Sequence, residues 1–180
     1  MNKAMQISYI YHSFAWGEMI IASYGAQLVL CDWRYRKSAE AIKQRIAREL
    51  DSTYIEATSP VIENTIQQLN EYFEQKRSQF DLPILLIGTD FQKKVWQALS
   101  DIPYGKSISY LALSQQLGNE KAIRAVATAN GANALAILIP CHRVIGTDGS
   151  LVGYAGGLAT KKKLLALENS DWNKQMSLSF

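Results

Sequence analysis

The chain has 180 residues, of which 48% are hydrophobic, so it is long enough to form one large or two small domains around packed cores. Its two cysteines, Cys31 and Cys141, stand far apart and in no Cys-x-x-Cys pair, which argues against a disulfide framework and a four-ligand zinc site. Charge is uneven: residues 88–180 carry ten Lys or Arg against six Asp or Glu, whereas residues 1–87 carry nine against ten. The second half is therefore the candidate for an anionic partner, against the alternative of a slightly biased solvated surface.

The chain begins without a basic segment followed by a long apolar one, the pattern of a signal peptide. The longest apolar run near the second half's motifs, residues 134–139, is too short to cross a bilayer. Two free thiols suit a reducing compartment. We therefore expect a soluble cytoplasmic protein with no membrane partner.

Residues 1–87 are predicted to form a small α+β domain. Short apolar runs within residues 5–33, punctuated by glycines, indicate strands of a short antiparallel sheet. A helix is predicted over residues 39–50 with Ser38 as its N-cap, and a second over residues 60–77 with Ser59 as its N-cap. The second helix should bury a stripe of Ile62, Ile66, Leu69 and Phe73. We find no candidate catalytic or ligand-binding site in this half. Cys31 is assigned to core packing, and His12 is given no functional role.

A crossing segment, residues 81–88, leads into a mostly helical second half. Thr89 and Gln92 predict a capping box for a helix that buries Phe91, Val95, Trp96 and Leu99 on one face. Two further helices are predicted over residues 110–117, capped by Ser109, and over residues 120–130, capped by Asn119. Two short helices joined by a glycine-containing turn predict a helix-turn-helix, although many helical hairpins share this pattern.

The most informative stretch is Pro140-Cys141-His142-Arg143, which we predict to follow an apolar strand over residues 137–139. Attack by sulfur requires thiolate, and a neighbouring imidazole can accept the thiol proton while a nearby cation stabilises the anion. Pro140 fixes its φ angle and favours a sharp turn. The tetrapeptide by itself is equally compatible with a buried structural cysteine that happens to precede a histidine.

In this setting the sequence resembles the DNA alkyltransferases that repair 6-O-alkylguanine. The resemblance covers about residues 88–168, whereas the first half matches only in general layout. It is carried by Phe91 to Leu99, Ile102-Pro103-Tyr104-Gly105, Ser109-Tyr110, Gly118-Asn119, Ala122 to Asn133, Pro140-Cys141-His142-Arg143-Val144, Gly153-Tyr154-Ala155-Gly156-Gly157 and Leu164 to Glu168. It implies an α+β protein with a small N-terminal domain (residues 1–87), a mainly helical domain containing a winged helix-turn-helix (88–170), and a C-terminal tail (171–180).

The resemblance also implies a role for individual residues. Cys141 matches the alkyl acceptor, His142 the residue that draws off its proton through water, and Glu168 the carboxylate that supports the imidazole. Asn133 matches a bridging residue near the acceptor, and Tyr110 the phenol that donates to a ring nitrogen of guanine. Residues implied to contact the flipped base or the DNA are Arg124, as the finger that fills the vacated space, together with Ala125, Arg143, Val144, Tyr154 and Ala155.

The recognition helix, residues 121–130, should present the face Ala122, Ala125, Val126 and Ala129 to the minor groove. The implied activity is direct, irreversible, single-turnover transfer of an alkyl group from 6-O-alkylguanine, and from 4-O-alkylthymine, in double-stranded DNA to Cys141 of a monomer. The implied reaction needs no cofactor and no metal. Two alternatives stay open: a non-catalytic module that binds alkylated bases, and a Cys-His hydrolase, for which no oxyanion hole is recognisable.

Overall fold

The computed structural model describes residues 5–172 and divides the chain into two compact units, one up to Gly88 and one from Thr89. In the first unit, three strands, β1 (Ile7–Phe14), β2 (Gly17–Tyr24) and β3 (Gln27–Trp33), form an antiparallel meander. This short antiparallel sheet is as predicted, and a fourth strand that the sequence did not indicate, β4 (Tyr54–Glu56), adds to the free edge of β1 in parallel. The sheet order is β3-β2-β1-β4.

Two helices pack on this sheet, α1 (Ala39–Glu49) and α2 (Pro60–Phe73). The predicted end of α2 at Arg77 was wrong by four residues. Gln75 adopts a φ of +60°, which lies in the left-handed region and cannot continue a helix, and Arg77 folds back to donate to Glu71 over 2.7 Å. Ser59 caps α2 as predicted, with its hydroxyl accepting from the backbone N–H of Ile62.

Two details of these helices differ from the sequence prediction. Ser38 occupies the N-cap position of α1, but its hydroxyl accepts from Arg36 Nε over 2.7 Å and caps no backbone N–H. The buried face of α2 is centred on Ile62, Leu69 and Tyr72, and the predicted Ile66 and Phe73 are only half-buried at its border. Cys31 lies in the core, as expected, with none of its surface exposed.

The second unit is mainly helical. Its elements are α3 (Asp90–Ser100), β5 (Ile108–Ser109), α4 (Tyr110–Gln116), α5 (Ile123–Gly131), β6 (Val144–Ile145) and α6 (Gly157–Glu168), with 3₁₀ turns at Glu120–Ala122 and Cys141–Arg143. Strands β5 and β6 pair in parallel beside the α4–α5 hairpin. The mixed α+β architecture with a helical second unit is therefore as predicted.

The capping signals of this unit function as the sequence indicated. Both halves of the Thr89–Gln92 capping box form at the start of α3, although Phe91, assigned to its buried face, is 40% exposed. Ser109 accepts from the backbone N–H of Ala112 at the start of α4. Asn119 accepts from the backbone N–H of Lys121, but the residues that follow form a 3₁₀ turn before α5 begins.

The predicted strand before Cys141 was also wrong. Residues 134–139 form a buried irregular turn, with a single isolated pairing of Ala136 and Ile139 and with Ile137 at a φ of +72°. All twelve residues from Asn133 to Val144 are buried. An extended strand would carry these side chains to two opposite faces, whereas the turn buries all of them in one core.

No helix within residues 5–172 is long and apolar enough to cross a membrane.

Candidate active site

Cys141 opens the short 3₁₀ turn that follows the buried irregular segment, and only 4% of its surface is exposed. Its position is fixed by the backbone, because its N–H donates to the Ile139 carbonyl over 2.7 Å. The same carbonyl accepts from Asn133 Nδ2 at 3.0 Å, while Asn133 Oδ1 accepts from the backbone N–H of Leu135 at 2.9 Å. Asn133 therefore closes the loop that precedes Cys141.

His142 and Arg143 converge on the carboxylate at the end of α6. Glu168 Oε1 lies 2.7 Å from His142 Nε2 and accepts from Arg143 Nη2 over 3.0 Å, and Glu168 Oε2 accepts from Arg143 Nε over 2.8 Å. The side chains of His142 and Glu168 are fully buried. Arg143 also donates to the Ile102 carbonyl. A paired and fully hydrogen-bonded arrangement of this kind is what a buried carboxylate requires.

Glycine is required next to this cluster. Gly105 has a φ of +73°, and its backbone N–H donates to Glu168 Oε2 over 3.3 Å. A Cβ at this position would stand 2.8 Å from the backbone oxygen of Glu168, closer than real contacts allow. The turn Ile102–Gly105 is therefore packed against the end of α6.

The charges of the cluster are set by burial and pairing. Burial by itself would raise the pKa of Glu168, but the hydrogen bonds and charges of His142 and Arg143 outweigh it and lower this pKa to about 2. Burial lowers the pKa of His142. The hydrogen bond and charge of Glu168 act in the opposite direction, but they are outweighed by burial together with the positive charges of Arg143 and Lys161. We therefore describe the cluster at neutral pH as neutral His142, anionic Glu168 and cationic Arg143.

With Nε2 held against Glu168, the ring nitrogen that remains on His142 is Nδ1. Nδ1 is buried and has no hydrogen-bond partner among the described residues. In a neutral imidazole whose Nε2 donates to a carboxylate, Nδ1 carries the lone pair. His142 is thus held in the tautomer that can accept a proton on the side away from Glu168.

Tyr110, the first residue of α4, lies near the thiol. Burial, and to a lesser extent the charge of Cys141, raise the pKa of its phenol to about 12, although the hydrogen bond from Asn130 acts in the opposite direction. The phenol oxygen accepts from Asn130 Nδ2 over 3.0 Å. At neutral pH Tyr110 is therefore protonated and can donate a hydrogen bond.

The loop residues Tyr154 and Ala155 are half-buried, and the Tyr154 ring stands edge-on to His142 with 6.3 Å between the ring centroids. On α5, the helix expected to recognise DNA, Arg124 and Ala125 are exposed, whereas Val126 and Ala129 lie in the core. The predicted face was therefore wrong, because it mixes buried and exposed positions. The exposed side of α5 and of the turn before it carries Lys121, Arg124, Ala125, Thr128 and Gly131.

Two residues expected to contact DNA lie inside the unit. Arg143 is 6% exposed and its guanidinium is engaged by Glu168 and Ile102, and Val144 is fully buried in β6. Their geometry assigns them to support of the cluster and to packing. The sequence alone does not show whether an arginine next to such a motif will pair with a buried carboxylate of the same protein or with a DNA phosphate.

Lys161 is a residue that the sequence reasoning missed. It is fully buried in α6, and its Nζ donates to the carbonyls of Val144 and Val152, each at 2.6 Å, and of Gly153 at 3.3 Å. Burial lowers its pKa to about 8, although the charge of Cys141 acts in the opposite direction. Lys161 therefore joins the segment after the acceptor to the loop that carries Tyr154. The signal was its spacing from Leu164, Leu165 and Glu168, which puts all four on one helix face.

Within residues 5–172 no group of three or more His, Cys, Asp or Glu side chains could hold a metal ion.

Comparison with known proteins places this geometry in a family. Residues 7–86 match the model described as 6-O-methylguanine DNA methyltransferase, ribonuclease-like domain, and residues 90–170 match the DNA binding domain of the same family. Methylated-DNA--protein-cysteine methyltransferase of Methanosarcina barkeri is 44% identical over 135 residues, which cover 75% of this chain and 85% of that protein. That of Mycobacterium tuberculosis is 51% identical over 105 residues, 58% of this chain. The matched region spans 64% of the mycobacterial protein's length.

Solved structures lead to the same family. The crystal structure of Mycobacterium tuberculosis O6-methylguanine methyltransferase matches with a TM-score of 0.77 and 36% identity, covering 92% of this chain and 94% of the other. A structure of the Mycobacterium tuberculosis protein in complex with DNA matches with a TM-score of 0.76 and 37% identity, covering 92% and 93%. The chain therefore belongs to the 6-O-methylguanine DNA methyltransferase family.

Proposed function

We propose that this protein repairs alkylated double-stranded DNA by transferring the alkyl group of 6-O-alkylguanine irreversibly to Sγ of Cys141. The observation that carries the proposal is the buried pair of neutral His142 and anionic Glu168, directly after the buried Cys141 in the chain of a member of this family. Proton acceptor and orienting carboxylate are the two partners that an activated nucleophile needs.

The chemistry follows from the residues. The thiol proton passes to Nδ1 of His142 through water, and Glu168 stabilises the imidazolium that results, against the opposing charge of Arg143. Sγ forms a bond to the alkyl carbon as the bond from that carbon to the purine 6-oxygen breaks, and the bonding electrons leave with the base. Tyr110 donates to a ring nitrogen as this negative charge develops, and the thiol proton finally resides on guanine. The reaction balances without a cofactor.

The product is a thioether, which has no easy route back to a thiol, so each molecule reacts once. 4-O-alkylthymine presents the same alkyl–oxygen bond and is proposed as a second substrate. The damaged base must leave the stack to reach a buried thiol. Lys121, Arg124 and Ala125, on the exposed side of α5 and the turn before it, are proposed to enter the minor groove, with Arg124 filling the vacated space. Tyr154 and Ala155 are proposed to close over the base.

The domain assignment remains a proposal as well. We assign residues 1–87 to a supporting N-terminal domain, residues 88–170 to DNA binding and transfer, and residues 171–180 to a tail that lies mostly outside the described residues. The net charge of +4 on residues 88–180 supports contact with a phosphate backbone. We propose that the protein acts as a monomer in the cytoplasm.

Intact-protein mass spectrometry tests this function. The protein is incubated with a duplex oligonucleotide that carries one 6-O-methylguanine, and the adduct is mapped by proteolysis. We expect one lasting methyl group on Cys141 in the wild type and in Cys31→Ser, the matched control, and none in Cys141→Ser, which still binds the duplex. Binding without any adduct in the wild type would indicate a binding module instead, and turnover without a lasting adduct would indicate a hydrolase.

A further inference from the structure

We propose that Asn130 of α5 is a positioning residue that fixes the direction in which Tyr110 donates its hydroxyl proton, an inference that rests on the proposed alkyl transfer. Neither the sequence motifs nor the expected roles single out Asn130. Its hydrogen-bond partner, Tyr110, is the residue proposed to donate to the departing base.

The contact between the two side chains is direct and shielded from water. Asn130 Nδ2 donates to the phenol oxygen of Tyr110 over 3.0 Å, with Asn130 5% exposed and Tyr110 9% exposed. A phenol oxygen can accept one hydrogen bond while donating its single proton elsewhere. Because Asn130 supplies a donor, the hydroxyl proton of Tyr110 points away from Asn130 and is available to a substrate.

The same bond makes the phenol a better proton donor. Two effects disfavour charge on Tyr110, namely its burial and the nearby charge of Cys141, and together they raise its pKa to about 12. The hydrogen bond from Asn130 acts against both, since it stabilises negative charge on the phenol oxygen. Asn130 thereby supports charge on Tyr110 at the moment when the base leaves with its extra electron pair.

The position of Asn130 gives this bond a second consequence. Asn130 follows Val126 by one helical turn on the buried side of α5, the helix whose opposite side exposes Arg124 and Ala125. One rigid helix thus carries both the residues proposed to enter the groove and the residue that orients the phenol. Asn130 does not itself reach the DNA-facing side, so its removal should leave DNA affinity unchanged.

A double-mutant cycle tests the proposal. Single-turnover rates are measured for wild type, Asn130→Leu, Tyr110→Phe and the double variant, on duplex 6-O-methylguanine and on a free 6-O-alkylguanine base. We expect Asn130→Leu to slow both substrates equally, by about three- to tenfold, as the loss of one hydrogen bond implies. In the Tyr110→Phe background the same substitution should change the rate by less than about twofold, because no phenol is left to orient.

Controls separate this role from general support of the fold. Ser114→Ala removes a buried hydroxyl one turn along α4 from Tyr110 and should leave both rates within about twofold of wild type. Asn130→Ser, whose shorter side chain cannot reach the phenol, should reproduce the loss if Asn130→Leu proves poorly folded. A free base with an electron-withdrawing ring substituent, whose anion needs less stabilisation, should be less sensitive to either variant.

Three results would overturn the proposal. Asn130→Leu could slow transfer equally with and without the Tyr110 hydroxyl, it could slow transfer only on duplex DNA, or it could leave the transfer rate at the wild-type value. In each case the wild type would still methylate Cys141, so the proposed function would stand. If the wild type itself forms no adduct on Cys141, the proposed function fails and this inference fails with it.

Discussion

Replacement of Glu168 by Gln should separate the structural and chemical roles of the buried cluster. The substitution keeps the shape of the side chain but leaves the guanidinium of Arg143 buried without its counter-charge, which costs about 3–5 kcal/mol when such a pair is broken. The lowered pKa of Glu168 gives a similar figure: a change from 4.5 to about 2 corresponds to about 3 kcal/mol in favour of the charged form. We therefore expect the free energy of unfolding of the second unit to fall by about 3–5 kcal/mol.

Urea denaturation and single-turnover transfer, measured on the same preparations, provide the assay. Glu120→Gln is the matched control, because Glu120 is exposed and its carboxylate accepts only from Gln115 among the contacts described; its effect should stay within about 0.5 kcal/mol. Transfer by Glu168→Gln should slow by about 100-fold or more, since the amide oxygen can still accept from His142 but carries no negative charge to stabilise the imidazolium.

A double variant refines the test. Replacing both members of the pair, with Glu168→Leu and Arg143→Met, should recover at least half of the lost stability, because no unpaired charge then remains buried. Transfer should stay slow, since His142 still lacks its carboxylate. The reasoning would be refuted if Glu168→Gln were as stable as Glu120→Gln, or if the double variant recovered the transfer rate.

Three further predictions concern Arg124, Lys161 and His142. Arg124→Ala should slow duplex repair at least tenfold but the free-base reaction by no more than about threefold, because only the duplex incurs the cost of flipping; equal losses would withdraw the finger assignment. Lys161→Met should lower the thermal midpoint and slow both substrates, since three carbonyls lose their donor, whereas the exposed Lys162→Met should do neither; wild-type rates in Lys161→Met would contradict the loop-fixing role. The lowered pKa of folded His142 means that the unfolded chain binds its proton first as pH falls below about 6.5, so stability should decrease by up to about 1.4 kcal/mol per pH unit there. Asp32, whose raised pKa of about 6 acts in the opposite direction, contributes equally to wild type and to His142→Gln, so the difference between their unfolding free energies isolates the contribution of His142. If that difference did not change with pH, His142 would have the same pKa in the folded and unfolded chains.

Much of the architecture could be predicted because its signals are local. The caps of α2, α3 and α4 each depend on a hydroxyl within three residues of the N–H that it accepts from, and such spacing is visible in sequence. The three residues of β4 could not be predicted, since their pairing with β1 is a tertiary contact with no periodic signal of its own.

Cys141, His142 and Glu168 could be proposed from sequence as acceptor, imidazole and supporting carboxylate only because a specific family motif was present. The partners of Arg143 and Lys161 could not, because a charged side chain in a sequence shows its charge but not its burial. The face of α5 was misjudged for a related reason. Alanines suit both a core and an exposed surface, so their spacing did not reveal which side of the helix packs against α3 and α4.

The buried irregular segment has a consequence for when the thiol becomes reactive. Residues 133–144 contain almost no regular secondary structure, so their backbone groups depend on partners such as Asn133 and Lys161 of α6. The side chains of His142 and Arg143 depend in turn on Glu168 of the same helix. The thiol proposed as the acceptor reaches this environment only once helices distant in sequence have assembled around it. We therefore expect the nucleophilicity of Cys141 to require the completed domain, and a nascent or unfolded chain to carry an ordinary cysteine.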